Sequence, residues 1–478
     1  MHCWHVLAPA SAVHLPMTLC GGQCFRWRRT PRGTYVGVVR RIAYELANFS
    51  SCHTLPFQKD CHDSTPGFVV PAGVGSVKDE GDVPSGCLWF RCLNCELRDS
   101  SEVESQAVFL RHYLAVDVDL EKMWEQWTAE NPMCGHPLVR YLTLHSSLKL
   151  PVKIRHLRQE LHETLFAFLC SQNNNVQRIT SLIERLSLKY GDHLCDYNLE
   201  TGDVRCFDHV CKLHRKRAAR CGQEAAEERN QWIALHVLPT VEQLSAATED
   251  ELRSLGFGYR SNYIIGCTNV IRQSGVVGRE VLSEHCRGAT KFSESTVVPS
   301  YRWYEELLSP NCTLEERRAK LLTLPGVGRK VADCVLLFGL GHHELVPVDT
   351  HMAQVAAEYL ASSGGAGSYG RREGGRLKGG KRARVNDSRS RLRGVNDIEE
   401  NQRGDSTWEA VVAGWRMGNG EGKNKLPPLL PKHHDAIQVG FRSLFGEYCG
   451  WAHSILFYAR MRTGAAAMNR LAEGAVSV

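Results

Sequence analysis

The run Leu324-Pro325-Gly326-Val327-Gly328-Arg329-Lys330, followed by Val346-Pro347-Val348-Asp349-Thr350-His351, constrains this chain more than any other segment. Two glycines in so short a loop permit a tight hairpin whose backbone N–H groups can approach a phosphate unobstructed. The spacing that follows starts a helix at about Arg329, with its positive dipole end nearby. Lys330 falls in the first turn of that helix, where the dipole and partial burial both disfavour the ammonium form; this makes it a candidate nucleophile. Asp349 precedes a second expected helix and is placed to be both its N-cap and a fixed local charge.

These residues support two readings. A helix-hairpin-helix that only grips DNA needs Gly326 and Gly328 and leaves Lys330 as a phosphate contact. A catalytic site needs an amine and a second charged group, and the V-P-V-D-T-H segment supplies the second at a distance from which the chain can fold back. The catalytic reading is favoured.

With 478 residues, 43% of them hydrophobic, the chain can bury a substantial core and hold two or three subdomains. A formal charge of +6 is compatible with a nucleic-acid partner without requiring one. Local clusters such as His214-Arg215-Lys216-Arg217 and Lys381-Arg382-Ala383-Arg384 say more. The 19 cysteines scatter without a repeating frame and there is no clear secretory signal, so most read as free thiols in a reducing compartment. Cys87, Cys92 and Cys95 with His112 make half of a zinc pattern, and its second Cys pair is missing, so neither metal nor cofactor is expected. No apolar run reaches the length that spans a bilayer, and a soluble protein without membrane contact is expected.

The fold class expected is α+β. Residues 1–107 read as an antiparallel β domain, with β-branched and aromatic runs at Thr34–Val39 and Gly67–Val70. From about Val108 the period becomes helical, through Leu165, Phe168, Ile179, Leu182, Leu186, Val331, Val335 and Phe338, and residues 108–361 read as a helical body. Charged or irregular insertions interrupt that body at about 196–230 and 276–300. Residues 362–425, rich in Gly, Arg, Ser and Asn, read as a basic low-complexity insertion without fixed structure, 426–465 as a C-terminal helical segment that completes the body, and 466–478 as a tail. Closing a long loop costs only about 0.6 kcal/mol more per doubling of its length, so one core can include both flanks of the insertion.

Three more segments carry candidate chemistry. Gly22-Gln23-Cys24-Phe25-Arg26-Trp27 puts a glycine beside aromatics and an arginine. Phe168-Leu169-Cys170-Ser171-Gln172-Asn173-Asn174-Asn175 ends an apolar helix in amides that can read base edges or cap the next helix, with Arg178 following. Gly256-Phe257-Gly258-Tyr259-Arg260 sets an aromatic and a guanidinium on a turn, suited either to a wedge in a base stack or to an ordinary helix connection.

Taken in order, G-Q-x-F-R-W, N-N-N, G-x-G-Y-R, L-P-G-V-G-x-K-V-A-D-C, P-V-D-x-H-M and G-W-A resemble the 8-oxoguanine DNA glycosylases, a family of the helix-hairpin-helix DNA glycosylase superfamily, from Gly22 to about Arg462. The resemblance implies an N-terminal antiparallel β domain packed on a mainly helical helix-hairpin-helix body with long insertions. It implies a bifunctional glycosylase and AP lyase that excises 8-oxoguanine opposite cytosine, through a Schiff base, in base excision repair. Lys330 would attack C1′, and Asp349 would stabilise the developing positive charge. Asn173, Arg178 and Arg260 would read the cytosine while Tyr259 wedges into the duplex. The Gly22 carbonyl would accept from N7–H, Cys334 and Phe457 would sandwich the base, and His351 would hold a flanking phosphate.

Two positions depart from the family pattern inside the pocket. His453 stands where a glutamine meets the Watson–Crick edge, and Phe338 where a methionine is usual; Cys24 replaces a serine outside it. Between Lys330 and Cys334, one helical turn apart, an ammonium–thiolate dipole is feasible. A monomer acting on double-stranded DNA is expected, in the nucleus first and the mitochondrion second. The alternatives are an endonuclease III-like glycosylase for other oxidised bases, which would carry an iron–sulfur cysteine loop after the aspartate, and a noncatalytic helix-hairpin-helix DNA-binding protein.

Overall fold

Short runs of Val, Ile, Tyr and Phe between turn residues pair in this chain as antiparallel strands, and a computed structural model describes the result for residues 3–49, 86–128, 130–145, 153–206, 231–281, 297–360, 407–417 and 426–460. Strands β1 (His5–Pro9), β2 (Trp27–Arg29), β3 (Tyr35–Val39), β4 (Ile42–Phe49) and β5 (Cys87–Cys92) form one sheet in the order β1-β5-β4-β3-β2. Its neighbouring strands are all antiparallel. The run expected at Gly67–Val70 lies outside the described residues.

All five residues of β3 are buried, because both faces of the sheet are covered. Helix α1 (Leu15–Cys20) and α2 (Ser100–Tyr113) close one face, where Trp27 Nε1 donates to Tyr113 Oη at 3.0 Å. A three-stranded sheet of β6 (His193–Asn198), β7 (Val204–Arg205) and β8 (Trp232–His236) closes the other, with Cys195 and Tyr197 against Val36, Val38 and Ala43. Between the sheets lies the fully buried Glu45, which pairs with Arg91 at 2.5 Å and accepts from Tyr197 Oη at 2.7 Å.

This second sheet corrects the reading of 196–230 as an irregular insertion. Its described part, through residue 206, is strand and turn, whose alternation is too short to register amid neighbouring charges. Likewise 276–300 contains a hairpin of β9 (Val276–Val281) and β10 (Val297–Tyr301). The helical period begins at Ser100 rather than Val108, where Asp99 caps α2, so the boundary drawn at residue 107 falls inside a helix.

The helical body comprises α3 (Leu120–Trp127), α4 (Pro137–His145), α5 (Leu161–Leu169), α6 (Val176–Tyr190), α7 (Val241–Leu244), α8 (Glu249–Ser254), α9 (Arg260–Gln273), α10 (Arg302–Leu308), α11 (Leu314–Leu322), α12 (Arg329–Leu340), α13 (Thr350–Val355), α14 (Trp408–Met417), α15 (Pro431–Phe445) and α16 (Cys449–Arg460). Among the described residues no helix is long and apolar enough to cross a membrane. The body has two apolar clusters. One is built on α5, α6, α9, α11 and α12, and the other on α3, α4, α13, α14, α15 and α16. The expected combination of an N-terminal antiparallel sheet with a mainly helical body holds.

Helix α14 corrects the reading of 362–425 as wholly without structure. Trp408, Val411, Val412 and Trp415 form a helical stripe that composition averaged over the long insertion dilutes, and Val412 and Trp415 are buried against α15. Trp415 Nε1 also donates to Pro427 O at 3.2 Å. Trp415→Ala is expected to lower the unfolding free energy by about 3–5 kcal/mol in denaturant titrations. A change below about 0.5 kcal/mol would show that α14 does not dock in solution.

Candidate functional site

The hairpin begins with a strong helix start. Thr313 and Glu316 form a reciprocal capping box at the N-terminus of α11, which delivers the chain to Leu324 and Pro325. Gly326 then takes φ +78°, and a Cβ there would lie 2.4 Å from the Tyr263 ring, so the turn needs glycine on both conformational and steric grounds. Gly328 has an ordinary φ of −92° with open space around its Cα, and serves as the N-cap of α12. Gln172 Nε2 donates to the Gly326 carbonyl at 2.6 Å and Cys267 Sγ to the Pro325 carbonyl at 3.3 Å, which fixes the loop from outside.

Lys330, in the first turn of α12, donates from Nζ to Ser171 Oγ at 3.3 Å, and its Nζ lies 5.1 Å from the centre of the Phe168 ring. Asp349 caps α13 as expected, accepting from the backbone N–H groups of His351 and Met352, each at 2.9 Å. The two bonds hold its carboxylate in one orientation.

Lys330 and Asp349 line one cavity together with Gly22, Cys334, Phe338, His453 and Phe457, residues that the sequence reading had assigned to one site. The cavity sits on the seam between the two apolar clusters: Phe168, Cys334 and Phe338 belong to one, Met17, Ile154 and Phe457 to the other. Phe338 stacks on Phe168 (5.6 Å between centroids, 8° between planes), and His453 on Phe457 (6.0 Å, 24°). Gly22, at φ +97°, approaches Phe457, and His351 meets the same ring edge-on at 5.8 Å from an exposed position.

Burial sets the charge state of two groups in the cavity, and for Cys334 it corrects an expectation. Burial pushes the Cys334 thiol up to about 11, with Asp349 adding to the rise and Lys330 opposing it, so the group is a neutral thiol and no ammonium–thiolate dipole forms in this state. Burial lowers the His453 imidazole to about 4, Lys330 lowering it further while Asp349 and a hydrogen bond with the Pro347 carbonyl oppose the fall. His453 is therefore neutral near pH 7, and its Nδ1 is buried without a hydrogen-bond partner.

On the rim, Asn173 has φ +45° and is exposed, as is Arg178 in the first turn of α6. Asn175 caps α6 through Arg178 N–H at 2.9 Å, so the amide run both caps a helix and displays a side chain. Tyr259 is 44% exposed on its turn. Arg260 is buried instead of displayed: its guanidinium lies over the Tyr259 ring and donates to the carbonyls of Gln172 and, at 3.3 Å, Asn173. In this state it braces the loop that carries Asn173.

Sequence reasoning missed the partners of the named residues. Ser171 and Gln172 stood in a quoted motif without a role, and Phe168 registered only as helix core. Met17, Ile154, Pro347, Ser454 and Tyr458 also line the cavity, and only the tertiary fold brings them there. His156, which bonds Ser454 Oγ at 2.7 Å and stacks on Trp451 behind the pocket, gave no local signal.

Residues 5–165 match the family model for the N-terminal domain of 8-oxoguanine DNA glycosylase, and residues 166–367 that for the HhH-GPD superfamily base excision DNA repair protein. The N-glycosylase/DNA lyase OGG1 of Arabidopsis thaliana is 26% identical over 447 residues, covering 94% of this chain and 77% of the relative. The N-glycosylase/DNA lyase of Saccharomyces cerevisiae is 34% identical over 207 residues, 43% of this chain and 42% of that protein. Among solved structures, MBOgg1 in complex with a low affinity DNA ligand aligns at TM-score 0.50 and 17% identity over 97% of this chain and 99% of that one. The Clostridium acetobutylicum 8-oxoguanine glycosylase/lyase, bound to double-stranded DNA containing cytosine opposite 8-oxoguanine, aligns at the same score and identity over 96% and 97%. At that identity the structural likeness speaks to the fold alone.

Proposed function

Since the chain belongs to the 8-oxoguanine DNA glycosylases of the HhH-GPD superfamily, we propose that it excises 8-oxoguanine paired with cytosine and then cleaves the strand, with Lys330 as the nucleophile. The observation that carries this assignment of roles is the convergence of an amine, a helix-capping carboxylate and a glycine-, thiol- and aromatic-walled pocket on one cavity.

The hairpin N–H groups at Gly326 and Gly328, the N-terminus of α12 and His351 grip phosphates on the damaged strand. Tyr259 fills the gap left by the extruded nucleotide, and Asn173, Arg178 and Arg260 contact the cytosine left behind; Arg260 exchanges its carbonyl partners for the base edge. Extrusion costs a few kcal/mol, which wedge and pocket contacts offset. In the pocket, Gly22 offers its carbonyl to N7–H, Cys334 and Phe457 sandwich the ring, and Phe338 and His453 close the far wall. Lys330 attacks C1′ as the glycosidic bond breaks, the departing base carrying off the bonding pair, and Asp349 stabilises the charge that develops on the sugar. The resulting Schiff base permits β-elimination of the 3′ phosphate. We place the enzyme as a monomer on double-stranded DNA, in the nucleus first and the mitochondrion second.

Borohydride trapping on duplexes carrying 8-oxoguanine opposite cytosine or an oxidised pyrimidine tests this. A covalent adduct on 8-oxoguanine opposite cytosine is expected. An adduct only on oxidised pyrimidines would favour the endonuclease III-like reading, and tight binding with no adduct on any duplex the noncatalytic one.

Because His453 stays neutral down to about pH 4, it contributes no titration to excision between pH 6 and 8. The pH profiles of the wild type and His453→Gln are expected to run parallel there. His453→Ala should slow single-turnover excision a few-fold to tens-fold, through loss of about one hydrogen bond worth roughly 1 kcal/mol and of ring contact. Equal rates for all three proteins would remove His453 from the site. Stability has the opposite sensitivity. An imidazole whose folded pKa lies below its unfolded 6.5 favours the native state above 6.5 and loses that contribution as pH falls toward 4. His453→Gln should therefore lose less thermal stability than the wild type on acidification, as pH-dependent melting will show.

A further inference from the structure

Residues Val346 to Val348 run buried and outside any regular element between α12 and α13, with no strand paired to them among the described residues, so their backbone groups need other partners. One side chain answers for both polar groups of Val346. Its N–H donates to Gln438 Oε1 at 2.8 Å, and Gln438 Nε2 donates to its carbonyl at 2.6 Å, as a neighbouring strand would. The same Nε2 reaches Asp333 Oδ2 at 3.4 Å. Asp333 is fully buried in α12, one turn beyond Lys330, and is held by Arg318 of α11 at 2.9 Å and Arg329 at 3.9 Å. Arg329 in turn pairs with Asp435 of α15 at 2.5 Å, one turn before Gln438.

Lys330 rides on α12, which belongs to one apolar cluster, while Val346 to Asp349 belongs with the other. The amide of Gln438 crosses that seam. It ties the backbone three residues before Asp349 to the carboxylate three residues after Lys330. We propose that Gln438 is a positioning residue that sets the separation of Lys330 and Asp349, and that α15 thereby holds the two reacting groups in register across the seam.

The inference rests on the roles proposed above for Lys330 and Asp349. A displacement of about 1 Å between reacting groups can cost about 100-fold in rate. Gln438→Leu keeps the volume and removes the bridge, and Gln438→Glu keeps the acceptor for Val346 N–H but presents a carboxylate to Val346 O and Asp333. Excision of 8-oxoguanine is measured at saturating enzyme in a single turnover, beside affinity for a duplex containing a tetrahydrofuran abasic analogue and thermal stability. Trp415→Ala, buried in the same cluster and away from the cavity, supplies a comparison of similar stability loss.

Both Gln438 variants are expected to excise about 30- to 100-fold more slowly, with duplex affinity within about threefold of wild type, while Trp415→Ala keeps its rate. Wild-type rates in Gln438→Leu would overturn the proposal, as would a loss no larger than that of Trp415→Ala at equal stability. Absence of any trapped adduct with wild type would remove the premise and the inference together. A trapping wild type with unimpaired Gln438 variants would remove the inference alone.

Discussion

Lys330→Gln is expected to abolish borohydride trapping and to cut single-turnover base release by on the order of 10⁴-fold or more, the scale seen when a nucleophile is removed from a site whose other parts remain. The cavity explains why nothing nearby should substitute. Cys334, one helical turn away, is held as a neutral thiol by burial, and neither that thiol nor the His453 imidazole has the primary amine that a Schiff base requires. Duplex affinity should change little if, as proposed, the grip comes from backbone N–H groups at Gly326 and Gly328 and from the rim. Glutamine can still donate to Ser171, so the first turn of α12 should keep its packing. Base release within tenfold of wild type would sink the mechanism. Loss of binding together with chemistry would mean that Lys330 acts mainly as a phosphate contact.

Asp349→Asn should slow base release by about 10²–10³-fold, the usual scale for removing one fixed electrostatic group from a developing charge. The variant separates charge from structure. Asparagine caps helices about as well as aspartate, so the bonds from His351 and Met352 should survive and the melting temperature should stay close to wild type. Asp349→Ala, which removes the cap as well, should lose about 1 kcal/mol of stability in addition. If Asp349→Asn keeps its activity while Asp349→Ala unfolds, the carboxylate is a helix cap and nothing more.

Local spacing made the candidate centre legible. The hairpin, the first-turn lysine and the capping aspartate are fixed within a few residues of chain, and β-branched runs marked the N-terminal sheet. Features that depend on distant neighbours escaped. The neutrality of His453 and Cys334 follows from burial, which no window of sequence displays. Arg260 faces inward because the carbonyls of Gln172 and Asn173 lie beneath it, and those carbonyls belong to a segment far away in sequence. Helix α14 and strand β6 are short apolar patterns submerged in polar surroundings. Gln438 had no signature at all, since a glutamine on a helix reads as surface until a strandless backbone segment is found beside it.

The cavity wall draws residues from Met17 through Lys330 to Tyr458, and this long-range closure bears on the order in which the enzyme becomes competent. Contacts between segments so far apart form late and slowly compared with those inside a hairpin or a helix pair. On the ribosome, the amine of Lys330 emerges well before α16. A growing chain can thus seat its hairpin loop against Gln172 and Cys267, which are made before it, while the compartment that would receive an extruded base still lacks the wall bearing His453 and Phe457. Reactivity and discrimination mature together, on the docking of one late helix, so an unfinished molecule can touch DNA without being equipped to cut it.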